Sequence, residues 1–139
     1  MARVIHFEIP AKNLKKQREF YSKVFTEWKM EKADMPEEYW LISTGEKDKP
    51  GIDGAFYDGI SGFGLKGTVN TIDVADLDAI LKRVVAAGGK ALTEKMPIPG
   101  VGMLAYCVDP EGTVFGVMQA ERKPLDPAKL NGFHKKGIY

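Results

Sequence analysis

His6 and Glu8 stand two residues apart in the opening run "VIHFEI", residues 4–9. A strand sends alternate side chains to opposite faces, so an imidazole and a carboxylate at i and i+2 share one face. Imidazole titrates near neutral pH and serves as a general base, a hydrogen-bond donor or a metal ligand. A carboxylate in an apolar setting has its pKa raised and works as acid or base. The bland alternatives are a histidine bonded to a neighbour and inert, and a glutamate paired with a lysine at the rim. As a pair they would grip a cation only weakly, because an open divalent site needs about three protein ligands. The chain's other histidine is His134, close to the C-terminal end.

A second feature is a gap. "DPEGTVFGVMQ", residues 109–119, reads as a type I turn over Asp109, Pro110, Glu111 and Gly112, followed by a strand. Gly116 lies inside that strand and offers no side chain to pack.

Composition bounds the function classes. With 139 residues, 44% hydrophobic and 28% charged, the chain is expected to form one soluble globular domain. A net charge of +1 provides no basic groove for nucleic acid. Lys129, Lys135 and Lys136 lean basic, as a solvated end does. Cys107 is the single cysteine, so no intrachain disulfide forms, and its apolar surroundings fit a small buried residue. No apolar run approaches a membrane span, and "MARVIHFEIP" enters a strand without a signal-peptide pattern. The expectation is a cytoplasmic protein with neither a nucleic-acid nor a membrane partner.

The elements that would position these residues come in two similar sets. In the first strand, Ile5, Phe7 and Ile9 share the face opposite His6 and Glu8. Asn13 can cap a helix with an apolar stripe of Leu14, Tyr21, Val24, Phe25 and Trp28. Strands follow at "EYWLIST" (38–44) and "IDGAFYD" (52–58), then a glycine-rich connector over 59–67. The order then restarts with "TVNTIDV" (68–74) and an Asp76-capped helix whose stripe is Leu77, Ile80, Leu81, Val84 and Val85. Gly88-Gly89 ends that helix. "KALTE" gives a short strand, "MPIPGVG" a Pro/Gly loop that is either a lip over the site or a rigid connector, and "MLAYCVD" with "TVFGVMQ" a closing hairpin. Setting Leu14 against Leu77 pairs His6 with Val69 and Glu8 with Thr71.

On these elements the sequence resembles the vicinal oxygen chelate superfamily, the glyoxalase, bleomycin-resistance and extradiol-dioxygenase group. The resemblance rests on "HFEIPAKNLKKQREFYSKVF", "NTIDVADLDAILKRVVAAGG" and "GMLAYCVDPEGTVFGVMQ", and covers residues 4–119. It implies an α+β fold in which two βαβββ modules form an open, cup-shaped mixed β-sheet with helices packed outside. One domain over 1–120 follows, with module one at 3–58, module two at 68–120 and a C-terminal tail at 121–139.

In metal-dependent members of the group, four side chains on the inner face hold one divalent ion. The resemblance places His6 at the first position, with Gly54, Val69 and Gly116 at the other three. It therefore implies no metal cofactor, and a roomier, more apolar cup. By parity with Gly54, Phe56 faces inward; by parity with Gly116, so does Met118. Trp40 and Tyr106 lie on strands that line or flank the same space. The expected ligand-binding residues are His6, Glu8, Trp40, Phe56, Tyr106 and Met118, the ligand a small apolar or aromatic molecule, and the assembly a homodimer. Two alternatives stay open. One is a lyase, isomerase or dioxygenase using a divalent metal ion on an altered ligand set that includes His6. The other is a module with a degenerate cup that binds a partner through its tail.

Overall fold

The sequence of strand, helix and antiparallel strands occurs twice. The computed structural model describes residues 2–58 and 67–121. These fall into two compact units: one runs from His6 to Thr68, and the other gathers residues 2–5 with Val69 onward. Nearly all of the expected 59–67 connector, the tail beyond Glu121, His134 and the three tail lysines lie outside the described residues.

Module one comprises β1 (Val4–Ala11), α1 (Leu14–Val24), β2 (Lys29–Lys32), β3 (Tyr39–Ser43) and β4 (Asp53–Asp58), its strands ordered β2-β3-β4-β1. β1 runs parallel to β4, with His6 opposite Asp53 and Glu8 opposite Ala55. β3 is antiparallel to β2 and β4, which sets Tyr39 beside Tyr57 and Trp40 beside Phe56. β2 was not anticipated. Its sequence, KMEK, has no apolar alternation, and within the module it bonds to β3 alone, where charged residues suit an edge.

Asn13 caps α1 as expected, its side-chain oxygen accepting from the Lys16 N–H at 3.0 Å. The helix rests on β4 through aromatic rings. Tyr21 lies 5.5 Å from Phe56 and 5.5 Å from Trp28, and Phe25 lies 4.9 Å from Trp28. Such offset contacts add roughly 0.5–1.5 kcal/mol each beyond area burial. The stripe is shallower than its spacing suggests: no residue of α1 is fully buried, and Phe20, Val24 and Phe25 are exposed. The helix stops at Val24, so Phe25 and Trp28 pack after it rather than along it.

Module two comprises β5 (Val69–Asp73), α2 (Leu77–Ala86), β6 (Lys90–Ala91), β7 (Met96–Ile98), β8 (Gly102–Val108) and β9 (Val114–Ala120). β5 is parallel to β9, and β8 is antiparallel to β9 and to both β6 and β7. The helix α2 is pinned at both ends. Asp76 accepts from the Ala79 N–H at 3.1 Å, and Gln119 of β9 accepts from the Leu77 N–H at 2.8 Å. At the far end Gly88 takes φ +99°, and the Gly88 and Gly89 N–H groups return to Val85 and Val84, a Schellman closure. Beneath α2, Val74, Leu77, Ala105, Cys107 and Val117 form the buried core. Burial pushes the Cys107 thiol pKa up, as expected of a packed cysteine.

The turn at 109–113 forms as read. Asp109 Oδ1 accepts from the Glu111 and Thr113 N–H groups at 2.9 Å each, and Gly112 has φ +84°. The "MPIPGVG" segment differs. Met96–Ile98 is a strand, with Ile98 opposite Gly102, and Val101 is buried at the bend. The segment is therefore a hairpin held by ladder hydrogen bonds rather than a loop.

Candidate functional site

β1 separates its side chains as the alternation requires. His6 and Glu8 are 7% and 5% exposed, so two ionisable groups are buried on one face. Phe7 points the other way, its ring 6.4 Å from Trp28 on the α1 side. The face that carries His6 also carries Tyr39 and Leu41 of β3 and Asp53, Ala55 and Tyr57 of β4, by register and parity.

His6 Nε2 and the Tyr39 hydroxyl lie 2.8 Å apart, a hydrogen bond that orients the imidazole. Burial lowers the His6 pKa to about 4, the nearby Asp53 opposing this, so the ring is neutral at pH 7. Asp53 is held in place by the Thr44 N–H at 2.8 Å and faces Lys47 at 3.5 Å. Tyr57 shows the same desolvation in the opposite sense. Burial, then the Glu8 carboxylate, pushes its phenol up to about 12. Two atoms here are buried without a hydrogen-bond partner: His6 Nδ1 and the Tyr57 hydroxyl.

Two of the expected ligand-lining residues lie elsewhere. Phe56 packs against Tyr21 of α1, and Trp40 lies beneath the Arg18 guanidinium, 3.6 Å from its ring centre, with its indole N–H donating to Glu38. Both occupy the helix side of module one, away from His6. The cause is a register slip of one residue. A Cβ on Gly54 would collide with the ring and carbonyl of Phe7, which face α1, so Gly54 belongs to the helix side. Its neighbour Ala55 occupies the position across from Glu8, as Gly116 does across from Thr71. Sliding a strand by one residue exchanges its faces. Tyr57 and Tyr39 therefore replace Phe56 and Trp40 on the His6 face. The adjacency of tyrosine and a second aromatic in both "YW" and "FY" marked these strands, but no sequence signal chose between the two parities.

In module two the parity reading holds. Gly116 lies on the face opposite α2: a Cβ there would meet Thr71 Oγ1 at 2.8 Å and Leu104 Cδ1 at 3.5 Å. Met118 and Tyr106 share that face, Tyr106 directly across from Gly116 and Met118 across from Leu104. Val69, at the position where the resemblance implies a second histidine, is buried.

Could these residues hold the divalent ion of metal-dependent relatives? Nε2 of His6 is engaged by Tyr39, and module two offers valine, threonine, glycine, methionine and a single carboxylate, Asp73, on the corresponding face. Among the described residues, no group of three or more His, Cys, Asp or Glu side chains is gathered to bind a metal. The donor set does not fit such an ion. No helix among the described residues is long and apolar enough to cross a membrane.

Comparison with known proteins agrees with this architecture. No protein-family model matches the chain. A segment of 46 residues is 41% identical to "Putative glyoxylase CFP32" of Mycobacterium bovis, and the same holds for the Mycobacterium tuberculosis protein of that name. That segment spans 33% of this chain and only 18% of the mycobacterial protein. Among solved structures, a glyoxalase/bleomycin resistance protein/dioxygenase superfamily member from Vibrio splendidus 12B01 is similar with TM-score 0.60 and 20% identity. The match covers 86% of this chain and 99% of that one. A hypothetical protein from Bacillus halodurans C-125 is similar with TM-score 0.64 and 15% identity, covering 89% and 98%. A methylmalonyl-CoA epimerase solved with methylmalonyl-CoA and NH4+ is similar with TM-score 0.61 and 15% identity, covering 88% and 96%. Two modules, each a strand, a helix and then antiparallel strands (three in the first, four in the second), and these structural likenesses, give the chain the α+β fold of the glyoxalase/bleomycin-resistance/dioxygenase group, the vicinal oxygen chelate fold.

Proposed function

We propose that this chain is a glyoxalase/bleomycin-resistance-like binding protein that works without a resident metal. It holds a small apolar or aromatic molecule against the module-one face that carries His6, Glu8, Tyr39 and Tyr57. The observation that supports this reading is the state of His6: buried, neutral and bonded through Nε2 to a phenol, with Nδ1 unmatched. An imidazole held in that way is set up to meet a hydrogen-bonding ligand. Apolar Leu41 and Ala55 beside it supply the greasy wall that small-molecule sites use around a few polar groups. Tyr106 and Met118 are proposed to serve the module-two face in the same way. The proposal includes a cytoplasmic location and a homodimer.

The test combines metal analysis of protein purified without chelators with native mass spectrometry against a library of apolar and aromatic compounds. The expected result is no stoichiometric ion, a dimer mass, and a ligand bound at micromolar concentration. A stoichiometric ion that disappears in His6→Ala overturns the reading. It would favour the second one, a metal-dependent lyase, isomerase or dioxygenase, which draws its support from the open Nδ1 of His6.

A further inference from the structure

We propose that two surfaces of module one make the contact of a homodimer: an apolar, basic stripe on α1 receives the acidic β2–β3 loop of a second copy of this chain, and the exchange is made twice about a two-fold axis. This rests on the homodimer of the reading above and names its surface; it does not depend on the ligand.

The stripe follows from helical spacing. Lys16, Phe20 and Val24 stand four apart and Lys23 is three from Phe20, so the four side chains adjoin on one flank of α1. None is packed inward: Phe20 is 57% and Val24 53% exposed, and both lysines are exposed. Single apolar groups at a surface are ordinary, whereas adjoining ones rimmed by charge are the pattern of a contact surface. Neither lysine enters an ion pair among the described residues.

The loop over residues 33–38, "ADMPEE", joins β2 to β3 and is closed by the Ala33 N–H donating to the Tyr39 carbonyl at 2.8 Å. Asp34, Met35 and Glu37 are all exposed on it. Glu38 is engaged by Lys32 and by the Trp40 indole, but Asp34 and Glu37 enter no ion pair among the described residues. The two patches are matched in kind. One is apolar between ammonium groups, the other apolar between carboxylates. A methionine thioether also packs well against a phenyl ring.

The partner is a second copy because one chain cannot join its own patches. Arg18 lies over Trp40, 3.6 Å from the ring centre, which sets the end of the loop beside one flank of α1. Phe20, two residues further on, points to a different flank. Both patches accordingly stay exposed within the chain. A second copy brings a loop to the stripe and a stripe to the loop, the self-complementary arrangement of a two-fold dimer. Stripe against stripe would instead oppose lysine to lysine, and loop against loop carboxylate to carboxylate.

The experiment uses the full chain in sedimentation velocity over a concentration series, with circular dichroism to check folding. One variant carries Lys16→Glu and Lys23→Glu, the other Asp34→Lys and Glu37→Lys; all four positions are exposed. The wild type is expected to dimerise, and more weakly as salt rises from about 0.05 M to about 0.5 M. Each variant alone should dissociate at least about tenfold more readily. An equal mixture of the two should regain the dimer, because both contacts then pair opposite charges. Variants that dimerise as tightly as the wild type, dissociation of only one of them, or a mixture that stays monomeric overturns this interface and leaves the homodimer standing. A wild-type monomer at every concentration overturns both and gives the patches to other partners.

Discussion

Thr71 and Gly116 face each other across the parallel β5–β9 pair, and the threonine hydroxyl stands 2.8 Å from where a Cβ at 116 would lie. The glycine that looks like a hole in the strand is matched by a neighbour that uses the space. Gly116→Ala should therefore cost about 1–3 kcal/mol in urea unfolding, as overpacking does. Thr71→Ala removes the obstructing oxygen, so the double variant should recover most of that loss. Simply additive costs would show that the two residues do not share the space.

Acid should unfold the protein partly through His6. Its folded pKa of about 4 lies below the ordinary imidazole value of 6.5, so between those limits the unfolded chain binds the proton and the folded chain does not. Stability then falls as pH drops from about 6.5 to about 4 and levels off below, by at most roughly 3 kcal/mol from this group. His6→Gln should flatten that segment of the stability-against-pH curve. An unchanged slope would mean that His6 is not buried neutral.

Tyr39→Phe deletes the hydroxyl that engages His6 Nε2, leaving both imidazole nitrogens without a partner. The expected loss is about 1–3 kcal/mol in chemical denaturation. Imidazole NMR should report a changed tautomer balance in the folded variant. No loss of stability and no spectral change would remove Tyr39 from the site.

Gly54→Ala tests which face β4 presents. An added methyl meets both the Phe7 ring and the Phe7 carbonyl, and the carbonyl is backbone that cannot step aside. The variant should lose about 3 kcal/mol or more, and adding Phe7→Ala should not restore it. A mild effect would return Gly54 to the His6 side and Phe56 with it.

Much of the fold is written in single residues. Asn13 and Asp76 announce their helices, Gly88 ends one, and the Asp109 turn forms around its own side chain. These signals are local, so they survive without knowledge of partners. The strand β2 carried no such signal, because an edge strand of Lys, Met, Glu and Lys buries almost nothing. The candidate site was half legible for a related reason. His6 and Glu8 declare their common face by alternation within one strand, and both are buried together. Tyr57 against Phe56 and Tyr39 against Trp40 depended on how β4 is set beside β1. That choice is made by the contact of Gly54 with Phe7, between residues far apart in sequence. In module two Gly116 lies on the face that the resemblance assigned to it, so Met118 keeps the expected parity.

The parallel seams have a kinetic consequence. Residue 6 must find residue 53, and residue 71 must find residue 116, whereas the β8–β9 hairpin joins Val108 to Val114 across one tight turn. Chain closure over a long span loses more entropy before any contact rewards it, and topology of this kind slows folding. By this argument the hairpin closes more readily than either parallel seam. Because His6 and Glu8 ride on such a seam, the site forms only once β1 and β4, far apart in sequence, have met.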